Sequence, residues 1–75
     1  MRLPVLKPGK VINGLKQIGF AKSRQTGSHL ILINRIIKKI IVVPIHANKD
    51  IKRRTLRGII KQSGLTVKDF LDLLK

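Results

Sequence analysis

The stretch FAKSRQTGSHLILINRIIKKIIVVP, Phe20–Pro44, decides the fold. Its middle, His29–Ile33, and its end, Lys39–Val43, are short runs of leucine and β-branched residues bounded by polar ones. Runs of that length and composition read as strands. Thr26-Gly27-Ser28 is a turn, in which glycine can supply a positive φ. Asn34-Arg35 open a second turn, although Ile36 and Ile37 blur it. Phe20–Gln25 alternates loosely and predicts a first strand. Connections this short favour an antiparallel three-stranded meander.

Outward from that block the period changes. Val11, Ile12, Leu15 and Ile18 fall on one helical face, so the spacing predicts a helix over 9–18, closed by Gly19 in the left-handed conformation. Gly14 inside it costs roughly 1 kcal/mol relative to alanine. Met1 to Pro8 reads as an extended lead-in restricted by Pro4 and Pro8. Downstream, residues 47–54 are polar and basic. Thr55 is the expected N-cap of a helix carrying Leu56, Ile59 and Ile60, ended by Gly64. Thr66 caps a last helix with Val67, Phe70, Leu71 and Leu74 on one face, and Asp69 supplies the acid of a capping box. The order predicts an α+β fold with helices over one face of the sheet. Its expected core is Val11, Ile12, Leu15, Ile18, Leu56, Ile59, Ile60, Phe70 and Leu71. The strands are nevertheless apolar on both faces. Leu30 and Leu32 point one way, Ile31 and Ile33 the other. Helices on one side cover only one set, so the second face is expected to hide against a partner. The plainer alternative is that isoleucine and valine serve β-propensity alone.

The chain has 75 residues, read as a single domain over 1–75. A domain this small buries only about 60% of the surface its unfolded chain exposes. Without cysteine it has neither disulfides nor thiolate metal ligands, and two histidines with three aspartates do not suggest a metal cage. No cofactor is expected. Against 17 Lys+Arg stand only three acids, a net charge of +14. Such a balance suits a polyanionic partner. Phe20 and Phe70 are the only aromatics, so phosphate contact rather than base stacking should carry nucleic-acid affinity. No signal peptide is expected. Leu30–Ile33 and Ile40–Val43 are far too short to span a bilayer, so no membrane association and a cytoplasmic location are expected.

Three places can carry chemistry. His29 follows the polar turn and leads the aliphatic run, with Ser28 beside it and Lys22 and Arg24 nearby. It is either a strand-end structural residue or an accessible imidazole, the side chain best suited to move a proton near neutral pH. His46, after Pro44-Ile45, is either a loop histidine or an accessory group. Lys49–Arg57, KDIKRRTLR, brings Lys52, Arg53, Arg54 and Arg57 to a helix N-terminus. Basic side chains are unfavourable there for the helix itself, whereas an anion is welcome. The run is therefore either an anion site or a solvated charge cluster. There is no defensible Ser-His-Asp set, carboxylate pair, phosphate loop or zinc-ligand spacing.

Four motifs in order carry a family likeness. They are Gly19-Phe20, Arg24-Gln25 leading to Gly27-Ser28-His29, Pro44-Ile45-His46, and TLRGIIKQSGL over Thr55–Leu65. On these motifs the chain, from about Leu6 to Leu74, resembles the HicA-type toxins, small ribonucleases paired with HicB-type antitoxins. The resemblance implies a double-stranded-RNA-binding-domain-like α-β-β-β-α fold. It implies that His29, the histidine of Gly-Ser-His, is catalytic; the expected reaction is metal-independent cleavage of mRNA with His29 as general acid or base. From their charge and placement, Lys22, Arg24, Ser28, Lys52, Arg53, Arg54 and Arg57 are the expected RNA contacts, with His46 the candidate accessory group. The resemblance implies a hetero-oligomer with a HicB-type antitoxin. Two positions depart from the family. Arg54 stands where a glycine usually precedes Thr-Leu-Arg, and Ile36-Ile37 fill a hairpin that is commonly polar. The alternatives are a non-enzymatic double-stranded-RNA-binding module, for which binding would occur without cleavage, and a basic structural protein of a ribosome or phage.

Overall fold

The computed structural model describes residues 3–75; Met1 and Arg2, which begin the expected lead-in, lie outside the described residues. The elements are α1 (Pro8–Gln17), β1 (Ala21–Thr26), β2 (His29–Asn34), β3 (Lys39–Pro44), a 3-10 turn (His46–Asn48), α2 (Arg53–Ser63) and α3 (Val67–Leu73). This is the expected α+β order, with an antiparallel sheet arranged β1-β2-β3.

Pro8 belongs to α1 rather than to the lead-in. It is the first helical residue, where the missing N–H has no intrahelical partner to lose. The lead-in itself is part of the core. Leu3 is 1% exposed, and Leu6 pairs with Ile51 through a hydrogen bond from the Ile51 N–H to the Leu6 carbonyl, 2.8 Å long. Ile51, in the stretch that reads as polar and basic, is buried, as is Phe20 just before β1.

The start of α2 corrects the sequence reading. Thr55 is not the N-cap. The helix begins at Arg53, Lys52 occupies the cap position, and no side chain bonds the free N–H groups there. The Leu56 N–H already bonds the Lys52 carbonyl, so the first turn closes upstream of Thr55. Thr66 does cap α3, its Oγ1 accepting the Asp69 N–H at 3.1 Å. On α3, Phe70 is fully buried, and Val67, Leu73 and Leu74 pack around the core. Leu71, expected in that set, is only half-buried and lies outside it. The rest of the expected core is in place: Val11, Leu15, Leu56, Ile59, Ile60 and Phe70 are buried, and Ile12 and Ile18 pack at the margin.

Gly14 lets α1 and α3 meet. A Cβ there would lie 2.8 Å from Leu74 Cδ2 and 3.3 Å from Phe70 Cζ. Its low helix propensity is thus offset by close packing.

Asn34 ends β2 and is 3% exposed. Its Nδ2 donates to the Ile18 carbonyl at 3.0 Å, and its Oδ1 accepts the N–H groups of Ile36 (3.0 Å) and Ile37 (3.3 Å). One side chain thereby ties the end of α1 to the β2–β3 turn.

Along β2 the two faces separate cleanly. Leu30, Leu32 and Asn34 are buried beneath the helices, with Ile41 and Val43 beside them on β3. Ile31 and Ile33 are half-buried, and their β3 partners Val42 and Ile40 are 45% and 61% exposed. The second face is therefore an uncovered aliphatic surface among the described residues.

Candidate functional site

His29 sits where the local sequence forces an accessible position. Gly27 takes φ +49, so Gly27-Ser28 alone can turn the chain, and Thr26 pairs directly with His29. The histidine is consequently the first residue of β2, exposed, on the uncovered face. Ser28 Oγ lies 3.4 Å from its Nδ1. Among the described residues its Nε2 has no hydrogen-bond partner. Across the sheet His29 pairs with Pro44, and the Ile45 N–H donates to the Ser28 carbonyl at 2.7 Å.

A bulge decides which cation shares that face. The β1–β2 register shifts between Lys22 and Arg24: Lys22 pairs with buried Leu32, Arg24 with Ile31. Without the extra residue, Ser23, these two side chains would lie on one face. With it, Arg24 joins His29's face in the neighbouring row, and Lys22 goes to the other.

Past Pro44 the chain turns through His46–Asn48, where Ala47 takes φ +50, and runs back to α2. An open pocket of about 310 Å³ forms there, lined by Pro44, His46, Lys49, Asp50, Ile51, Lys52 and Thr55. Pro44 is thus common to His29's row and to this pocket. Four polar side chains reach the pocket from three places: His46 from the 3-10 turn, Lys49 and Lys52 from the connection, and Thr55 from the first turn of α2. Uncapped N–H groups at the start of α2, with no acid in that turn, make this end of the helix electropositive. Asp50 is held by Lys7 at 3.3 Å.

The basic cluster is divided. Lys52 lines the pocket, while Arg54 and Arg57 are exposed on α2 and do not. Arg53 is used by the fold, its Nε donating to the Leu3 carbonyl at 2.7 Å. Lys49 and Thr55 are pocket residues that the sequence did not single out for the site. Lys49 had a signal, since it opens the basic run. Thr55 had a misleading one, because a threonine before an apolar run reads as a cap.

A family model described as the HicA toxin of bacterial toxin–antitoxin systems matches residues 9–65. No curated protein matches the chain significantly. The matched span runs from the first turn of α1 past the end of α2 and includes His29, the bulge and the pocket.

Proposed function

Because the chain belongs to the HicA toxin family, we propose that this toxin of a toxin–antitoxin system is a metal-independent endoribonuclease acting on mRNA in the cytoplasm. The observation that carries the proposal is His29, exposed at the head of β2 beside a two-residue turn, with no hydrogen-bond partner on Nε2 among the described residues. A phosphodiester can approach over Gly27-Ser28 without meeting bulk. His29 then takes the 2′-hydroxyl proton as the 2′-oxygen attacks phosphorus, or gives a proton to the departing 5′-oxygen. Arg24 on the same face, and Lys52 with the α2 N-terminus beyond Pro44, neutralise the phosphate and the charge that develops on it. Ser28 steadies the ring from Nδ1. A single imidazole does not conveniently serve as both acid and base, and His46, in the pocket beside Pro44, is the candidate for the second role. A HicB-type antitoxin would cover the uncovered sheet face and His29 with it, giving a hetero-oligomer whose association an acidic partner surface would accelerate.

The test is His29→Ala beside His29→Gln, each scored for melting, RNA affinity and cleavage. Removing a proton-transfer group should slow cleavage by about 10²- to 10⁴-fold, with melting and affinity nearly unchanged. His29→Gln keeps a hydrogen-bonding group without the shuttle and should be as slow. Full cleavage by His29→Gln would overturn the proton-transfer role. RNA binding by the wild type without any cleavage would favour the double-stranded-RNA-binding module instead.

A further inference from the structure

The sheet has two free edges of opposite character. On β1, AKSRQT, all six residues are exposed and the bulge at Ser23 breaks the ladder. Charge and bulging are the usual protections against strand addition. On β3, KIIVVP, six consecutive residues pair with β2 in unbroken register. The bond from the Ile45 N–H to the Ser28 carbonyl fixes the phase of that ladder. Counting back by twos, Val43, Ile41 and Lys39 turn their N–H and C=O groups toward β2. Ile40 and Val42 turn theirs outward, and among the described residues these groups meet no backbone partner. Their side chains are prominent exposed aliphatics of the uncovered face, at 61% and 45%.

We propose that β3 is the recognition edge of the protein: a strand from an acidic partner protein, the antitoxin, adds alongside β3 and extends the sheet to four strands. This rests on the antitoxin reading given above and deepens it from a covered face to a defined backbone pairing. The incoming strand exchanges hydrogen bonds with Ile40 and Val42. Its alternate aliphatic side chains continue the Ile31–Val42 and Ile33–Ile40 rows. Charge selects the occupant. A second copy of this chain would bring +14 against +14, whereas Asp or Glu on the added strand would meet Arg35, Lys38 and Lys39 at the start of β3. Those three side chains line an open concavity of about 360 Å³ with Ile33 and Ile40. Pro44, lacking an N–H, ends the usable edge beside His29's row, so a strand seated there stops next to the proposed catalytic position.

The experiment is amide hydrogen exchange and inter-chain NOE measurement on the isotope-labelled full chain, free and in the complex obtained by co-expression with the product of the adjacent open reading frame. In the free protein the Ile40 and Val42 amides should exchange rapidly and those of Ile41 and Val43 slowly. In the complex the first pair should slow by roughly 100-fold or more, with backbone NOEs from the partner to Ile40 and Val42. A complex that forms with these two amides still unprotected overturns the edge proposal and leaves the antitoxin reading standing. Failure of any complex to form overturns both. Protection of the same amides in the isolated chain, growing with its concentration, overturns the acidic partner in favour of a second copy.

Discussion

The two faces of β2 differ in what their residues are for. Leu30, Leu32 and Asn34 lie against the helical layer and are almost wholly hidden. His29, Ile31 and Ile33, interleaved with them, face outward. One six-residue segment thus carries the stability of the domain on one side and its proposed chemistry on the other. The lesson is that apolar character alone does not identify core: Ile31 and Ile33 are as hydrophobic as Leu30 and Leu32, and only what covers them separates the two pairs.

The largest test of that contrast is Leu32→Ala against Ile31→Ala. Leu32 is fully buried, so its truncation should cost about 2–5 kcal/mol, a large part of the stability of a chain this size. Ile31→Ala should move the denaturant midpoint far less while weakening antitoxin binding. Equal midpoints for the two variants would erase the distinction between the faces.

Asn34 tests the seam between the faces. Truncation to alanine strands the Ile18 carbonyl and removes both acceptor bonds to the following turn. The expected loss is about 1–3 kcal/mol, read as a shift in thermal midpoint, with the Ile36 and Ile37 amides exchanging faster. A variant that melts like the wild type would show that the turn holds itself.

These sites mark where the sequence was legible. Period and turn chemistry are local, so the helices, the three strands, the Gly27-Ser28 hairpin and the Thr66 cap could be read from short windows. The exposed placement of His29 was legible for the same reason, since a tight turn directly before a strand puts its first residue at an accessible corner. Non-local features were not. Leu3 and Ile51 become core only because distant segments pair at Leu6 and Ile51. Gly14 matters for packing only because α3 folds back onto α1, where a Cβ would press on Leu74 and Phe70. The bulge at Ser23, which sends Lys22 and Arg24 to opposite faces, leaves no pattern in a polar strand whose side chains are all exposed. Thr55 misled because the first turn of α2 closes upstream of it, with the Leu56 N–H on the Lys52 carbonyl.

The basic cluster can be split by the same logic of face and partner. Lys52→Ala with Arg54→Ala and Arg57→Ala should weaken RNA affinity and flatten its salt dependence, by about 0.7–0.9 in the logarithmic slope for each phosphate no longer neutralised. Melting should change little. Arg53→Ala should do the reverse, lowering the melting midpoint by removing the bond to the Leu3 carbonyl while leaving most of the salt slope in place. An unchanged slope in the triple variant would make those charges a solvated surface with no part in RNA binding.

The smallest effect belongs to the far end of the molecule, where α3 carries two of the acids. Asp72 is hydrogen-bonded by Lys68 at 3.2 Å and paired with Lys75 at 3.4 Å. The Lys68 hydrogen bond, then its charge, then Lys75 hold the Asp72 carboxyl below the usual aspartate value. A depressed folded-state pKa means that the ionised form favours the folded chain. The contribution is therefore present above the ordinary aspartate range and is lost as pH falls through the lowered folded value. Both lysines are largely exposed, so solvent and salt screen the pairs. Asp72→Asn should consequently lower the melting midpoint slightly at neutral pH and low salt, and the difference from wild type should shrink on acidification and on adding salt. A difference that instead widened toward acid pH would place the stabilising interaction on some group other than the Asp72 carboxylate.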